Sequence, residues 1–274
     1  MAKTASGVPI VHEYLASPSQ ANDVFYSVQA AQAAFPELGK QFVVIGHSQG
    51  GASAWAAAQR QAKEPVKGYL GAVAISPVTT VLAEADPTRS LLVVFMLAGI
   101  AAYFADFDRA DVLTPEGAQK YSLMQALGAC GSTSLTLLSD VQVLQSSWTQ
   151  NPFVQKFQAL IAAGGKPIIH GESDPFLNVN ITSAAVEKTL HEFPTAQLEY
   201  IRVPGMSHVT AITSSQRVWM DWIADRFAGR PTSSNGVQPD LVAALPIAAY
   251  QPDLNWYLSL ATIFYQIPEK PVKQ

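Results

Sequence analysis

Cysteine is almost missing from this sequence. Cys130 stands alone among 274 residues, which excludes an internal disulfide and a cysteine-built zinc cluster. Charge is also scarce, with Asp, Glu, Lys and Arg making up 14% against a usual share of about 25%. Hydrophobic residues supply 49%, a composition that excludes a disordered chain and allows one large α/β domain or one domain with an insertion. The net charge of −4 and pI of 5.7 leave no basic footprint for nucleic acid or an anionic membrane. Very long apolar runs are missing too. The longest, Leu91 to Phe104, spans 14 residues, short of the roughly 20 a membrane helix needs, so it reads as a buried or interfacial helix. The opening Met1-Ala-Lys-Thr-Ala-Ser-Gly7 has no apolar stretch of the signal-peptide kind. No HExxH and no phosphate-binding loop occurs, so neither a metal nor an organic cofactor is expected.

What the sequence does contain is a β-branched run feeding a tight pentapeptide. Residues 42–51 read Phe-Val-Val-Ile-Gly-His-Ser-Gln-Gly-Gly, a Gly-x-Ser-x-Gly pattern centred on Ser48. Such a pattern after a strand and before a helix is the form of a nucleophile elbow. Glycines at 46 and 50 are expected to permit the tight turn and close helix–strand packing. Around it, spacing predicts a helix over 21–35, a strand over 41–45, an Ala-rich helix over 50–61 and a buried strand over 71–76. Continuous apolar runs of this kind suit a parallel sheet covered on both faces.

Strand character then stops for about 90 residues, replaced by the 91–104 run and helical segments over 115–127, 135–144 and 154–163. A block of helices between two core strands is the usual form of a cap or lid; a plain helical layer of the core is the alternative. Alternation resumes with strand 166–170, helix 182–193, strand 198–203 and helix 214–227. The expected fold class is therefore α/β, an α/β-hydrolase fold whose core comprises 1–80 and 166–230. Residues 81–165 form the cap. The segment 231–274, rich in proline and aromatics, reads as a wrap over the domain.

A serine hydroxyl needs a base to take its proton and a carboxylate to orient that base. In the hydrolase order the acid comes next, then the histidine, each after a strand. Asp174, four residues beyond His170 at a strand end, is the favoured acid, with Glu172 as rival. His208, in the loop before the last helix, is the base. His47 reads as the variable residue of the elbow, His170 as a core strand residue, and His12 and His191 as surface positions. The backbone N–H of Gln49 is the expected oxyanion donor, and the second donor is left unassigned.

With these residues in hand, the chain resembles the fungal secretory lipase family, the lipase A type of α/β-hydrolase. The resemblance rests on Gly46-His-Ser-Gln-Gly-Gly51, the Ala-rich helix, the apolar insertion at 88–105, Asp174, His208 and the aromatic tail. It implies a secreted esterase acting on triacylglycerols and other fatty-acid esters. Ser48, Asp174 and His208 would then be the triad, Leu91–Phe104 the lid, and 250–267 part of a flap. A serine peptidase or acyltransferase on the same fold, or an inactive or weakly active homologue, are the alternatives.

Family members carry well over a hundred residues before the helix that here spans 21–35, whereas at most one short strand, around Val8–His12, precedes it in this chain. The expectation is an N-terminally incomplete sheet in which strand 41–45 becomes an edge. The chain alone would then be unstable, oligomeric through that edge, or weakly active. Cys130 lies in the cap, where the resemblance implies a cysteine paired to one upstream, so Cys130 is either a thiol without its partner or an ordinary buried one. Asn180-Ile-Thr182 is a glycosylation acceptor pattern, compatible with secretion.

Overall fold

The strands form one parallel sheet in sequence order, β1 (Phe42–His47), β2 (Tyr69–Ile75), β3 (Ile168–Gly171), β4 (Tyr200–Val203) and β5 (Asp240–Leu241). The computed structural model describes residues 12–82, 90–129, 131–139, 141–161, 168–194, 197–231 and 240–241. Helices α1 (Ser17–Ala34), α2 (Gln49–Lys63), α7 (Val179–Glu192), α8 (Thr210–Ser214) and α9 (Gln216–Phe227) accompany the sheet. The architecture is the α/β-hydrolase fold.

Both faces of the sheet are covered, as the unbroken apolar strands require. On one face Ala74, Ile168 and Tyr200 pack with Trp55 of α2, Val186 of α7 and Leu198. On the other, Val73, Ile75, Ile169, Ile201 and Val203 pack with Ala211 of α8 and with Trp219 and Trp222 of α9. The alanines of α2, among them Ala54, Ala57 and Ala58, are buried and let the helix lie close to β1 and β2.

Among the described residues β1 pairs only with β2, so it is an outer strand. In register, Ile45 lies beside Val73, yet Ile45 is 45% exposed while Val73 is 1% exposed. The edge expected for strand 41–45 is therefore present among these residues.

Between β2 and β3 lie α3 (Ser90–Tyr103), α4 (Pro115–Ala126), α5 (Gly131–Leu138) and α6 (Pro152–Ile161). Their buried side chains, including Val94, Leu97, Ile100, Tyr121 and Phe157, form one cluster with Leu15, Ala52, Val78 and Leu177. Local chemistry starts two of these helices. Thr114 accepts a hydrogen bond from the Gly117 N–H ahead of α4, and Asn151 accepts from Phe153 and Val154 ahead of α6, each satisfying helix donors that lack an intrahelical acceptor. Gln158 of α6 then accepts from the N–H groups of Val81 and Leu82, fixing the chain that leaves β2.

One expected helix is corrected and another gains a short neighbour. The one expected over 135–144 ends at Leu138, because the following residues run back against α4's approach. Leu144 bridges Leu113 antiparallel, with Thr114 N–H donating to the Val143 carbonyl and Gln145 N–H to that of Val112. The helix expected over 214–227 is present as α9, and the short helix α8, which was not expected, precedes it and meets it at Ser215. The Ser214 and Ser215 hydroxyls donate to the carbonyls of Thr210 and Ala211, and such back-bonding bends helices. The tail also contributes β5, a strand the sequence did not signal. Most of the expected strand at 8–12, Cys130 and residues 242–274 lie outside the described residues; His12 lies within them and is in no strand.

Candidate active site

Ser48 sits between β1 and α2 with φ +57° and ψ −118°, a left-handed backbone that costs a non-glycine residue of order 1–3 kcal/mol and recurs at functional sites. The end of β2 holds this turn. Ser48 N–H donates to the Ile75 carbonyl at 2.9 Å, and the Ser48 carbonyl accepts from Val78 at 3.3 Å. Gly46 is obligatory, since a Cβ there would lie 1.9 Å from the Gly50 carbonyl oxygen. The second close approach falls to Gly51 rather than to Gly50. A Cβ at Gly51 would lie 2.8 Å from the Ile75 carbonyl oxygen, whereas one at Gly50 would meet nothing within 4 Å. The expected role of Gly50 is thus corrected. Gln49 opens α2, so its N–H is one of the helix donors without an intrahelical acceptor.

The carboxylate and the histidine come from the ends of β3 and β4. Asp174 is buried; its Oδ1 accepts from the N–H groups of Phe176 at 2.8 Å and Leu177 at 3.0 Å. Its Oδ2 accepts from His208 Nδ1 at 2.6 Å. A carboxylate at Nδ1 fixes the proton there and leaves Nε2 as the free lone pair. Burial alone would raise the Asp174 carboxyl, but hydrogen bonds from His170 and His208 outweigh it and hold the group well below the usual carboxylate range. Glu172, the rival acid, instead pairs with Arg202 at 2.8 Å, both side chains partly exposed.

Two further histidines join this arrangement. His47 of the elbow lies ring against ring with His208, centroids 4.5 Å apart. Its Nε2 is 2.9 Å from the His208 carbonyl oxygen, which can only accept, so His47 donates. Burial, then the neighbouring His208, push the His47 imidazole below its ordinary range. His170, expected to be only a core residue, is indeed buried but lies 3.2 Å from Asp174 Oδ2. Spacing alone could not reveal this contact, because it depends on how the turn after β3 folds back. Phe176 meets the His208 ring edge-on. Elsewhere, His191 lies in the last turn of α7 and His12 is stacked edge-on with Tyr14.

Ser48 and Gln49 also line an apolar pocket with Leu15, Val78, Val81, Phe95 and Leu177, about 420 Å³ with its open mouth. Phe95 reaches it from α3, so the helical insertion supplies part of the wall. Ser48 Oγ makes no hydrogen bond to His208 among the described residues. Among those residues, no three His, Cys, Asp or Glu side chains are grouped to hold a metal ion, and no helix is long and apolar enough to cross a membrane.

Solved structures share this fold. Candida antarctica lipase A in its closed state matches with a TM-score of 0.65 at 13% identity, over 88% of this chain and 61% of that one. The rice cell wall degrading esterase LipA from Xanthomonas oryzae matches with a TM-score of 0.63 at 13% identity, over 82% of this chain and 70% of that one. The chain thus spans about three fifths of the lipase and seven tenths of the esterase. No curated protein matches it. The elbow, the carboxylate and the histidine all fall within residues 12–222, which match the model of the alpha/beta hydrolase family, and the chain belongs to that family.

Proposed function

We propose that the protein is a serine carboxylic-ester hydrolase of the lipase or esterase kind, with Ser48 as nucleophile, His208 as base and Asp174 as the carboxylate that orients it. The observation that carries this reading is the buried Asp174–His208 hydrogen bond, beside a strained serine turn that opens on an apolar pocket. In the reaction His208 Nε2 takes the Ser48 hydroxyl proton as Oγ attacks the ester carbonyl. The Gln49 N–H stabilises the oxyanion, and His208 returns the proton to the leaving alcohol. Water then releases the acid by the same relay. The apolar lining favours an acyl chain over a charged group, which fits the resemblance to secretory lipases acting on fatty-acid esters.

A second reading, a fold that turns over weakly, draws on two observations. Among the described residues, Ser48 and His208 are not hydrogen-bonded, and the strand leading to Ser48 is paired on one side. A fluorophosphonate probe separates the two readings. Covalent labelling of the wild type that Ser48→Ala abolishes, with hydrolysis across a chain-length panel of nitrophenyl esters, is expected for the hydrolase. Folded protein that takes no label would sink it and favour the second reading.

A further inference from the structure

His170 is the unexplained group of this site. It lies on β3, its ring fully buried, and its Nε2 faces two acceptors, the Leu177 carbonyl at 3.1 Å and Asp174 Oδ2 at 3.2 Å. The Leu177 oxygen can only accept, so in the neutral ring Nε2 carries the proton. The other nitrogen, Nδ1, is buried and has no hydrogen-bond partner among the described residues. One N–H therefore bridges both ends of the turn that presents the carboxylate. The same turn is closed from inside by Asp174 Oδ1, which accepts from Phe176 and Leu177.

This arrangement separates the two carboxylate oxygens by task. Oδ1 is spent on the turn, while Oδ2 is shared between His170 and His208. His170 belongs to a strand paired on both sides, whereas His208 belongs to a loop. Without His170, only the loop histidine would meet Oδ2, and a buried carboxylate oxygen short of donors is free to turn toward any other.

We propose that His170 is a positioning residue, a buried donor that clamps Asp174 Oδ2 and the Leu177 carbonyl so that the carboxylate meets His208 Nδ1 in one fixed geometry. The catalytic part of this inference rests on the proposed esterase reading; the positioning part does not. His170 does not itself line the apolar pocket and reaches it only through the backbone carbonyl of Leu177, so its loss should act on turnover more than on substrate binding.

The test uses the whole chain, 15N-labelled at histidine, with three readouts. In the wild type, His170 should show the Nε2–H tautomer; an Nδ1–H tautomer would overturn the proposal without any variant. In His170→Leu, the low-field Nδ1 proton of His208 should move or broaden, and kcat on a nitrophenyl ester should fall roughly ten- to hundredfold, the scale of a hydrogen bond to a charged group, with KM changing far less than kcat. His170→Gln, whose amide Nε2 can still donate, should restore most of both. An unchanged His208 resonance in His170→Leu overturns the clamp, as does equal damage in the Leu and Gln variants. If the wild type hydrolyses no ester, the esterase reading fails, while the tautomer and the His208 resonance still decide the clamp.

Discussion

The two halves of the site are built to different standards. The half proposed to supply the acid and the base is enclosed. Asp174, His208 and His170 are buried, Asp174 accepts from two backbone and two imidazole donors, and His47 and Phe176 flank the His208 ring. The half proposed to supply the nucleophile hangs on a strand with one neighbour among the described residues, with open space beside Gly50 and a half-exposed Ile45 immediately before Gly46, which begins the turn. Its order comes from covalent geometry and from hydrogen bonds to the end of β2 rather than from enclosure. The acid and base are held by several redundant contacts, so single losses there should be felt mainly in chemistry. The serine depends on a few backbone contacts, so single losses there should be felt in structure.

The largest expected effect lies in the enclosed half. Asp174→Asn should lower kcat about 10⁴-fold, because the amide no longer fixes the proton on His208 Nδ1. Glu172→Gln removes only a partly exposed ion pair with Arg202 and should leave kcat within about twofold, since such pairs contribute about 0–1 kcal/mol. Steady-state kinetics on one ester decides it, and equal losses in the two variants would break the comparison. A pH series sharpens it. The folded Asp174 carboxyl is held below its ordinary value, so its contribution to stability is present above that ordinary value, about 3.9, and is lost as the pH falls toward the folded one. Urea unfolding should therefore show the gap between wild type and Asp174→Asn narrowing below about pH 4. A gap that widened there would contradict the assignment.

The nucleophile half is tested by two glycines of one pentapeptide. Gly46→Ala drives a Cβ against the Gly50 carbonyl, a backbone atom that cannot swing aside, and should cost at least about 1–3 kcal/mol together with Ser48 labelling. Gly50→Ala meets open space within α2 and should be neutral or stabilising by up to about 1 kcal/mol. Denaturant melts with the probe reaction measure both. Similar losses in the two would mean that the outer side of the turn is covered after all.

Much of this comparison was legible in the sequence, for a physical reason. The elbow is a local object, a β-branched run, an obligatory glycine at 46 and an Ala-rich helix, and local patterns survive folding. Asp174 and His208 could be singled out because each follows an apolar strand in the hydrolase order. What could not be read depends on distant partners. The course of 143–145 is decided by Val112, Leu113 and Thr114, residues some thirty positions away, and the break at Ser215 by two hydroxyls turned onto their own helix. The roles of Gly50 and Gly51 exchange because only the packed end of β2 shows which one faces a carbonyl. His170 looked like filler because a strand histidine reveals nothing about the turn it meets.

The smallest expected effect probes the outer strand itself. Ile45 and Val73 are neighbours in register and point to the same face, so a threonine at either should report how far that face is covered. Val73 is buried beneath the α8–α9 layer, and Val73→Thr should cost about 1–3 kcal/mol for an unpartnered hydroxyl in an apolar setting. Ile45→Thr places its hydroxyl in water and should lie within about 0.5 kcal/mol of wild type, leaving the proposed esterase activity unchanged. Chemical denaturation at several protein concentrations gives the answer. Equal and concentration-independent costs would mean that another part of the same chain lies over β1. A cost at Ile45 that grows with protein concentration would mean that a second molecule does, and that the serine's strand is an edge only when the chain is alone.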